Sequence, residues 1–274
     1  MSKSQLNQDL NVIEFFSNMV RGFFLDIGAY DGLTLSNTYL LEKNYEWSGI
    51  CSEPLPSAFN ELSKCRDVNC DNQAVFSKSG LSLQFSECTL LSGITEFIDG
   101  HLHAKNGKQI IVQTITLNDL LMKYNAPNII HYLSLDTEGT ELEILKSVDL
   151  SKYIFLYINL EHNDIEPRRT EIKKLLLNNN YLYKGANKWD DDYIHESTVI
   201  GTYYYKQNYM NPILIKRISG NNFSVSSQYF EDDTGEFKNG SITWSRLGKG
   251  KIFYNHIDYG NDNIWHRDNR KLVN

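Results

Sequence analysis

The side chains of this chain that are equipped for chemistry are mostly carboxylates, and they sit at the ends of apolar runs. In FFLDIGAYDG (23–32) an apolar run carries Asp26, and the chain then turns through Gly28, Ala29, Asp31 and Gly32. Glycines permit a tight turn and a close backbone approach to a ligand. The dinucleotide fingerprint GxGxxG is absent, because residue 30 is Tyr. An acid just before the first glycine is unsuited to a pyrophosphate and suits a cation. In GICSEP (49–54) a second apolar run ends at Glu53. That is about 20 residues beyond the glycine turn, where a carboxylate is expected to accept the hydroxyls of a ribose. In DNQAV (71–75), Asp71 or Asn72 is placed to meet a base edge.

S-Adenosylmethionine carries a sulfonium and an α-amino group and no phosphate. It is therefore the kind of ligand the first motif suits, with Asp26 (through water) and Asp31 at its amino-acid end. The plainer alternatives are a strand–turn–helix corner with a capping Asp, a surface Glu before a helix, and a polar loop before a strand.

Two later segments carry the other candidates. HYLSLDTEGTELEIL (131–145) ends an apolar run with Asp136, Glu138 and Gly139. Two carboxylates there can orient a hydroxyl or hold a metal, whereas Glu141 and Glu143 read as a solvated first helical turn favoured by the helix dipole. NLEHND (159–164) follows a very apolar run and places Glu161 and His162 beside Asp136. Histidine is the natural general base near neutral pH. A lone histidine is equally at home as a structural residue.

These residues need elements to position them. Periodicity predicts helices over 6–20, 34–43, 56–64, 117–123 (capped by Thr116), 140–147 and 167–178. Strands are expected at 23–27, 47–53, 72–76, 131–136, 153–161, 181–185 and 195–205, with excursion strands at 80–87 and 110–115. Strands alternating with helices imply a mainly parallel α/β sheet with helices on both faces. The last strand pair is joined by a loop, which implies one antiparallel strand at the end of the sheet. After about Tyr209 the sequence changes to short β-like pieces separated by turns at Thr234-Gly235 and Asn239-Gly240. The expected division is 1–205 for the α/β domain and 206–274 for a small β-rich appendage. Its aromatics (Tyr229, Phe230, Trp244, Phe253, Tyr254, Tyr259, Trp265) are expected to fill a core, with sugar stacking and a homodimer interface as the alternatives.

The whole chain narrows the choices. It has 274 residues, 41% hydrophobic and 22% charged, so a full core is expected. Its net charge of −7 argues against nucleic acid as a partner. Four cysteines without paired CxxC spacing argue against structural zinc and fit a reduced, cytoplasmic setting. No apolar run approaches the ~20 residues of a membrane span, and no secretory leader is expected.

Six segments in order resemble the FkbM-type S-adenosylmethionine-dependent methyltransferases: SQLNQD (4–9), GFFLDIGAYDGLTLSNTYLLEK (22–43), WSGICSEPLPSAF (47–59), DNQAV (71–75), YLSLDTEGTELEIL (132–145) and LEHN (160–163). WDDDY (189–193) looks like the acidic–aromatic stretch near the family's C-terminal end, and Asn7 stands where members often have glycine. The resemblance covers about residues 4–204 and leaves the β-rich tail outside. It implies a Rossmann-like class I methyltransferase fold with a seven-stranded sheet. It also implies S-adenosylmethionine as cofactor and O-methylation of a sugar, glycan or secondary metabolite. By the resemblance, Gln8, Asp26, Gly28, Ala29, Asp31, Gly32, Glu53, Asn72 and Asp136 hold the cofactor. His162 would be the base, with Asp136, Glu138 and Glu161 positioning the acceptor. A divalent metal on Asp136, Glu138, Glu161 and His162 is the less favoured arrangement. The competing readings are a nucleotide enzyme and a non-catalytic glycan-binding or scaffolding protein on the same fold.

Overall fold

The computed structural model describes residues 1–98, 101–205, 212–228, 230–260 and 263–267. The chain enters through α1 (Gln8–Phe15) into β1 (Phe23–Ile27), then α2 (Tyr39–Tyr45), β2 (Ser48–Ser52), α3 (Pro56–Cys65) and β3 (Asn69–Asp71). An excursion follows: β4 (Ala74–Val75), β5 (Ser82–Glu87), β6 (Gly93–Ile94) and β7 (Lys108–Ile115). The chain returns through α4 (Leu117–Lys123), β8 (Ile129–Leu135), α5 (Glu141–Lys146), β9 (Ile154–Glu161), α6 (Arg168–Asn178), β10 (Tyr181–Asn187) and β11 (Asp190–His195).

The main sheet is mixed, with order β10-β11-β9-β8-β1-β2-β3. From β9 to β3 all neighbours are parallel. Its strands are buried on both faces, and alternate side chains serve opposite layers. Phe24 packs in a core with Val12, Leu41 and Leu62, from α1, α2 and α3. Leu25 packs with Leu120, Leu145 and Leu176, from α4, α5 and α6. The excursion strands form a separate sheet ordered β4-β7-β5-β6.

The rest of the described chain is a closed barrel of β12 (Gly201–Tyr205), β13 (Pro212–Ser219), β14 (Asn222–Ser227), β15 (Phe230–Lys238), β16 (Ser241–Trp244), β17 (Gly248–Ile252), β18 (His256–Asp258) and β19 (Ile264–Arg267). Successive strands pair antiparallel and β12 pairs β19, which leaves no open edge. Trp244 and Trp265 are buried within it, as expected of core aromatics. Tyr229 lies outside the described residues.

Several sequence readings need correction. Of the strand expected over 195–205, only 201–205 is one, β12, and it belongs to the barrel; the last strand of the main sheet is β11, which the buried DDD run concealed. The antiparallel strand is β11, and it lies inside the sheet between β9 and β10. The helix expected from residue 34 begins at Tyr39; residues 34–38 are a loop, with Leu35 at φ 54° and exposed. The strand expected over 72–76 divides into the end of β3 before it and β4, which joins the second sheet. In the barrel, Thr234-Gly235 lies within β15, where a Cβ on Gly235 would stand 2.4 Å from the Trp244 ring. Asn239-Gly240 does turn, at φ 50° and 72°, the doubly left-handed geometry of a tight hairpin. No helix among the described residues is long and apolar enough to cross a membrane.

Candidate active site

A cavity of about 400 Å³ opens at the carboxyl ends of the central strands, where open α/β sheets bind ligands. Asp26 comes from β1, Glu53 from just beyond β2, Ser134 and Asp136 from the end of β8, and Glu161 from the end of β9. The remaining wall is made of Gln5, Gln8, Gly28, Ala29, Tyr30, residues 34–37, residues 89–92, His101, Glu138, Asn163 and Trp189. Five carboxylates line it and no described lysine or arginine does.

Backbone contacts fix several of these groups. Gly28 has φ 91°, and a Cβ there would lie 1.7 Å from the Asp136 carbonyl oxygen. Only glycine lets the end of β1 pass so close to the end of β8. Glu53 is buried; its Oε2 accepts from the Tyr30 amide at 2.9 Å and its Oε1 from the Leu55 amide at 2.7 Å. Burial pushes the Glu53 carboxyl up to about 7 against those two bonds. Gln8 is held by donating to Asp190 Oδ2 at 2.8 Å and accepting from the Leu6 amide at 2.8 Å. Burial also raises the Asp26 carboxyl, opposed by the Arg66 charge and by the Thr38 hydroxyl, which donates to Asp26 at 2.5 Å.

Asp136 is open to the cavity yet lies deep in the protein. Burial, then the charges of Asp190 and Glu141, raise its carboxyl to about 7, opposed by a hydrogen bond from Glu161. Glu161 is raised further, by burial first and then by Asp136, Glu138 and Glu141. Crowded carboxyls cannot all ionise, so Glu161 holds a proton and donates it to Asp136. Asn163 Nδ2 donates to Glu161 Oε2 at 2.7 Å and fixes that carboxyl. Asp136, Glu138 and Glu161 each bring one oxygen within 4.8 Å of the others.

Four expected site residues lie elsewhere. His162 is fully buried and its ring is used structurally: Nδ1 accepts from the Asp164 amide at 2.9 Å, and Nε2 lies 3.5 Å from Asp191. Burial lowers its pKa, and it does not line the cavity, either as a base or as a fourth metal ligand. Asp31 caps its own loop, accepting from the Leu33 and Thr34 amides and from the Thr34 hydroxyl. Gly32 packs on α3, where a Cβ would stand 2.6 Å from Leu62. Asn72 is exposed beside β3, and Asp71 is occupied by Lys123 at 2.6 Å and Tyr124 at 3.0 Å.

Other lining residues had little or no sequence signal. Thr89–Ser92 and His101 come from an excursion without periodicity. Ser134 had one, as a polar residue in an apolar strand. Tyr30, Leu35, Thr89, Glu138 and Asn163 all line the cavity with φ between 47° and 57°, conformations that persist only where the surroundings enforce them. A narrow apolar annex continues from Gly28 and Glu53 toward Pro54, Ala74, Val75, Phe85 and Ile94.

No curated protein matches the chain. Among solved structures it is similar to methyltransferase FkbM from Methylobacillus flagellatus KT, at 12% identity over 69% of this chain and 53% of that one, with a TM-score of 0.43. It is also similar to a METTL16 MTase domain, at 12% identity over 69% of this chain and 66% of that one, with a TM-score of 0.39. The chain thus spans about half the length of the first of these structures. Residues 26–183 match the family described as Methyltransferase FkbM domain, which is more than half of the sequence. The chain belongs to the FkbM methyltransferase domain family.

Proposed function

We propose that the cavity binds S-adenosylmethionine and that the protein transfers its methyl group to a hydroxyl oxygen of an uncharged acceptor, a sugar, glycan or secondary metabolite, on a Rossmann-like class I methyltransferase fold. The observation that carries this reading is the chemistry of the wall, which has the carboxyl groups of Asp26, Glu53, Asp136, Glu138 and Glu161 and no lysine or arginine among the described residues. Such a wall attracts a sulfonium and an ammonium and repels phosphates, which disfavours a nucleotide enzyme. When bound, S-adenosylmethionine supplies an electrophilic methyl group.

The chain's residues do the rest. Asp26, backed by Thr38, holds the ammonium end, and Gln8 flanks it. Glu53 has one lone pair of each oxygen committed to a backbone amide, and the others accept ribose hydroxyls. The apolar annex lies on the side expected for the base. Asp136 takes the acceptor's proton, while Glu161 and Glu138 orient the hydroxyl. Because Asp136 is raised to about 7, it is a better base than an ordinary carboxylate and is still half ionised near neutrality. Proximity within the cavity contributes the remainder. In this reading a metal is not required and the barrel is a supporting unit.

The test is calorimetric titration of the protein with S-adenosylmethionine and S-adenosylhomocysteine, beside Asp26→Ala and Glu53→Ala. Micromolar binding that both substitutions abolish supports the donor site. Absence of binding by the folded wild type ends this reading.

A further inference from the structure

Arg66 was not among the residues that the motifs singled out, yet its side chain is completely shielded from solvent. A buried guanidinium needs partners for its N–H groups, and one of these partners, Ser36, lines the cavity. Nε donates to Glu42 of α2. Nη1 donates to the Gly32 carbonyl at 3.2 Å and to Ser36 Oγ at 3.4 Å. Nη2 donates to Thr38 Oγ1 at 2.9 Å. The charge also lies 5.5 Å from the centroid of the Phe24 ring. One side chain at the end of α3 therefore ties it to α2 and to the 32–38 loop at Gly32, Ser36 and Thr38.

That loop needs such a clamp. Residues 34–37 line the cavity, they are not helical, and Leu35 is left-handed. Thr38 adds a second consequence. Arginine only donates, so the Thr38 oxygen accepts from Arg66 and its own proton is committed to Asp26 Oδ2 at 2.5 Å.

We propose that Arg66 is a positioning residue for the donor site: it clamps the 32–38 loop in place and, through the Thr38 hydroxyl, aims the Asp26 carboxylate into the cavity. The second half rests on the cavity being the donor site; the first half does not. Lysine cannot substitute, because one ammonium cannot span Glu42, Gly32 and Thr38 together.

The carboxyl of Asp26 is faced by Arg66 and Thr38, by Glu53 and Cys51 at β2, and by Tyr132, Ser134 and Asp136 at β8. Arg66 supplies the positive charge of this set. Without it Asp26 is protonated over a wider pH range, so a cationic ligand is lost most at low pH and regained as pH rises.

The experiment compares wild type, Arg66→Met, Arg66→Lys and Thr38→Val by hydrogen exchange without ligand and by titration with S-adenosylhomocysteine. Amides 30–38 are expected to exchange faster in both Arg66 variants. Affinity at neutral pH is expected to fall ~10-fold or more in Arg66→Met, since a bond to a charged group is lost. The gap between wild-type and Arg66→Met affinities should narrow as pH rises from about 6 to about 9, leaving the constant loss that the missing clamp causes, whereas Thr38→Val, which keeps the charge, should lose affinity by a constant factor throughout. Unchanged exchange, or Arg66→Met affinity within about twofold of wild type throughout, overturns the corresponding half of the proposal. If folded wild type binds no donor, the donor reading falls and exchange alone decides the clamp. If Arg66→Met does not fold, Arg66→Lys and Thr38→Val decide both halves.

Discussion

At Asp136 two effects compete. Burial and neighbouring negative charge favour the protonated acid, and the hydrogen bond from Glu161 favours the carboxylate. The balance near 7 has a direct consequence for rate. Below about pH 7 Asp136 carries the proton that a base must shed, so kcat/KM should rise tenfold per pH unit and level off above that value. Asp136→Asn should remove the limb and lower kcat by ~100-fold to ~10,000-fold while leaving the fold intact. S-Adenosylhomocysteine release against pH, with an acceptor in hand, measures both. His162→Gln discriminates the two candidate bases: its ring is buried against Asp164 and Asp191, so the limb should persist when it is replaced. A limb that vanished with His162 and survived loss of Asp136 would return the base to the histidine.

At the scale of elements, the strands that end in site residues were legible because an apolar run closed by an acid and glycines has few other uses. β1, β8 and β9 fall where the periodicity put them, and Thr116 caps α4 by accepting from the Asp119 amide at 3.0 Å. The illegible parts have physical causes. Asp190, Asp191 and Asp192 form a buried strand because Gln8, Arg169 and Tyr157 neutralise or bond them, and none of those partners is near in sequence. Residues 34–38 look helical, but they form a loop in which Ser36 and Thr38 accept from Arg66, also remote in sequence. His162 and Asp136 do stand on adjacent strand ends, but the His162 ring accepts from the Asp164 amide at 2.9 Å and turns away from the cavity. The strand ends themselves meet at Gly28. Gly28→Ala should be among the most damaging single changes, costing at least ~3 kcal/mol, because the methyl strikes the Asp136 carbonyl and φ is left-handed. Chemical denaturation is the measurement; a variant within about 1 kcal/mol of wild type would show that the ends of β1 and β8 can separate freely.

Across the whole molecule, the barrel is joined to the α/β part by an aromatic cluster and by backbone bonds. Phe16, just after α1, is 1% exposed, and its ring centroid lies 5.5 Å from that of Trp47, 5.7 Å from His131 and 5.2 Å from Tyr254 of the barrel. The Tyr254 amide donates to the Phe15 carbonyl at 2.9 Å, and Ser17 donates to Asn255 at 2.9 Å. At the other end of the contact, Arg217 pairs with Glu196, and Arg267 donates to the Ile200 carbonyl at 2.7 Å. Two sets of contacts couple the parts, so they should unfold together. Phe16→Ala removes a ring shared by both and should cost ~3–5 kcal/mol. For a chain of this size that lowers Tm by roughly 10 °C as a single calorimetric transition. Two transitions, of which only one moved, would instead mean that the barrel is stable by itself and that the ring cluster merely touches it. The same coupling argues against a cut at residue 205. β12 would remain behind without β13 and β19, its two partners, and Phe16, Trp47 and His131 would be bared together.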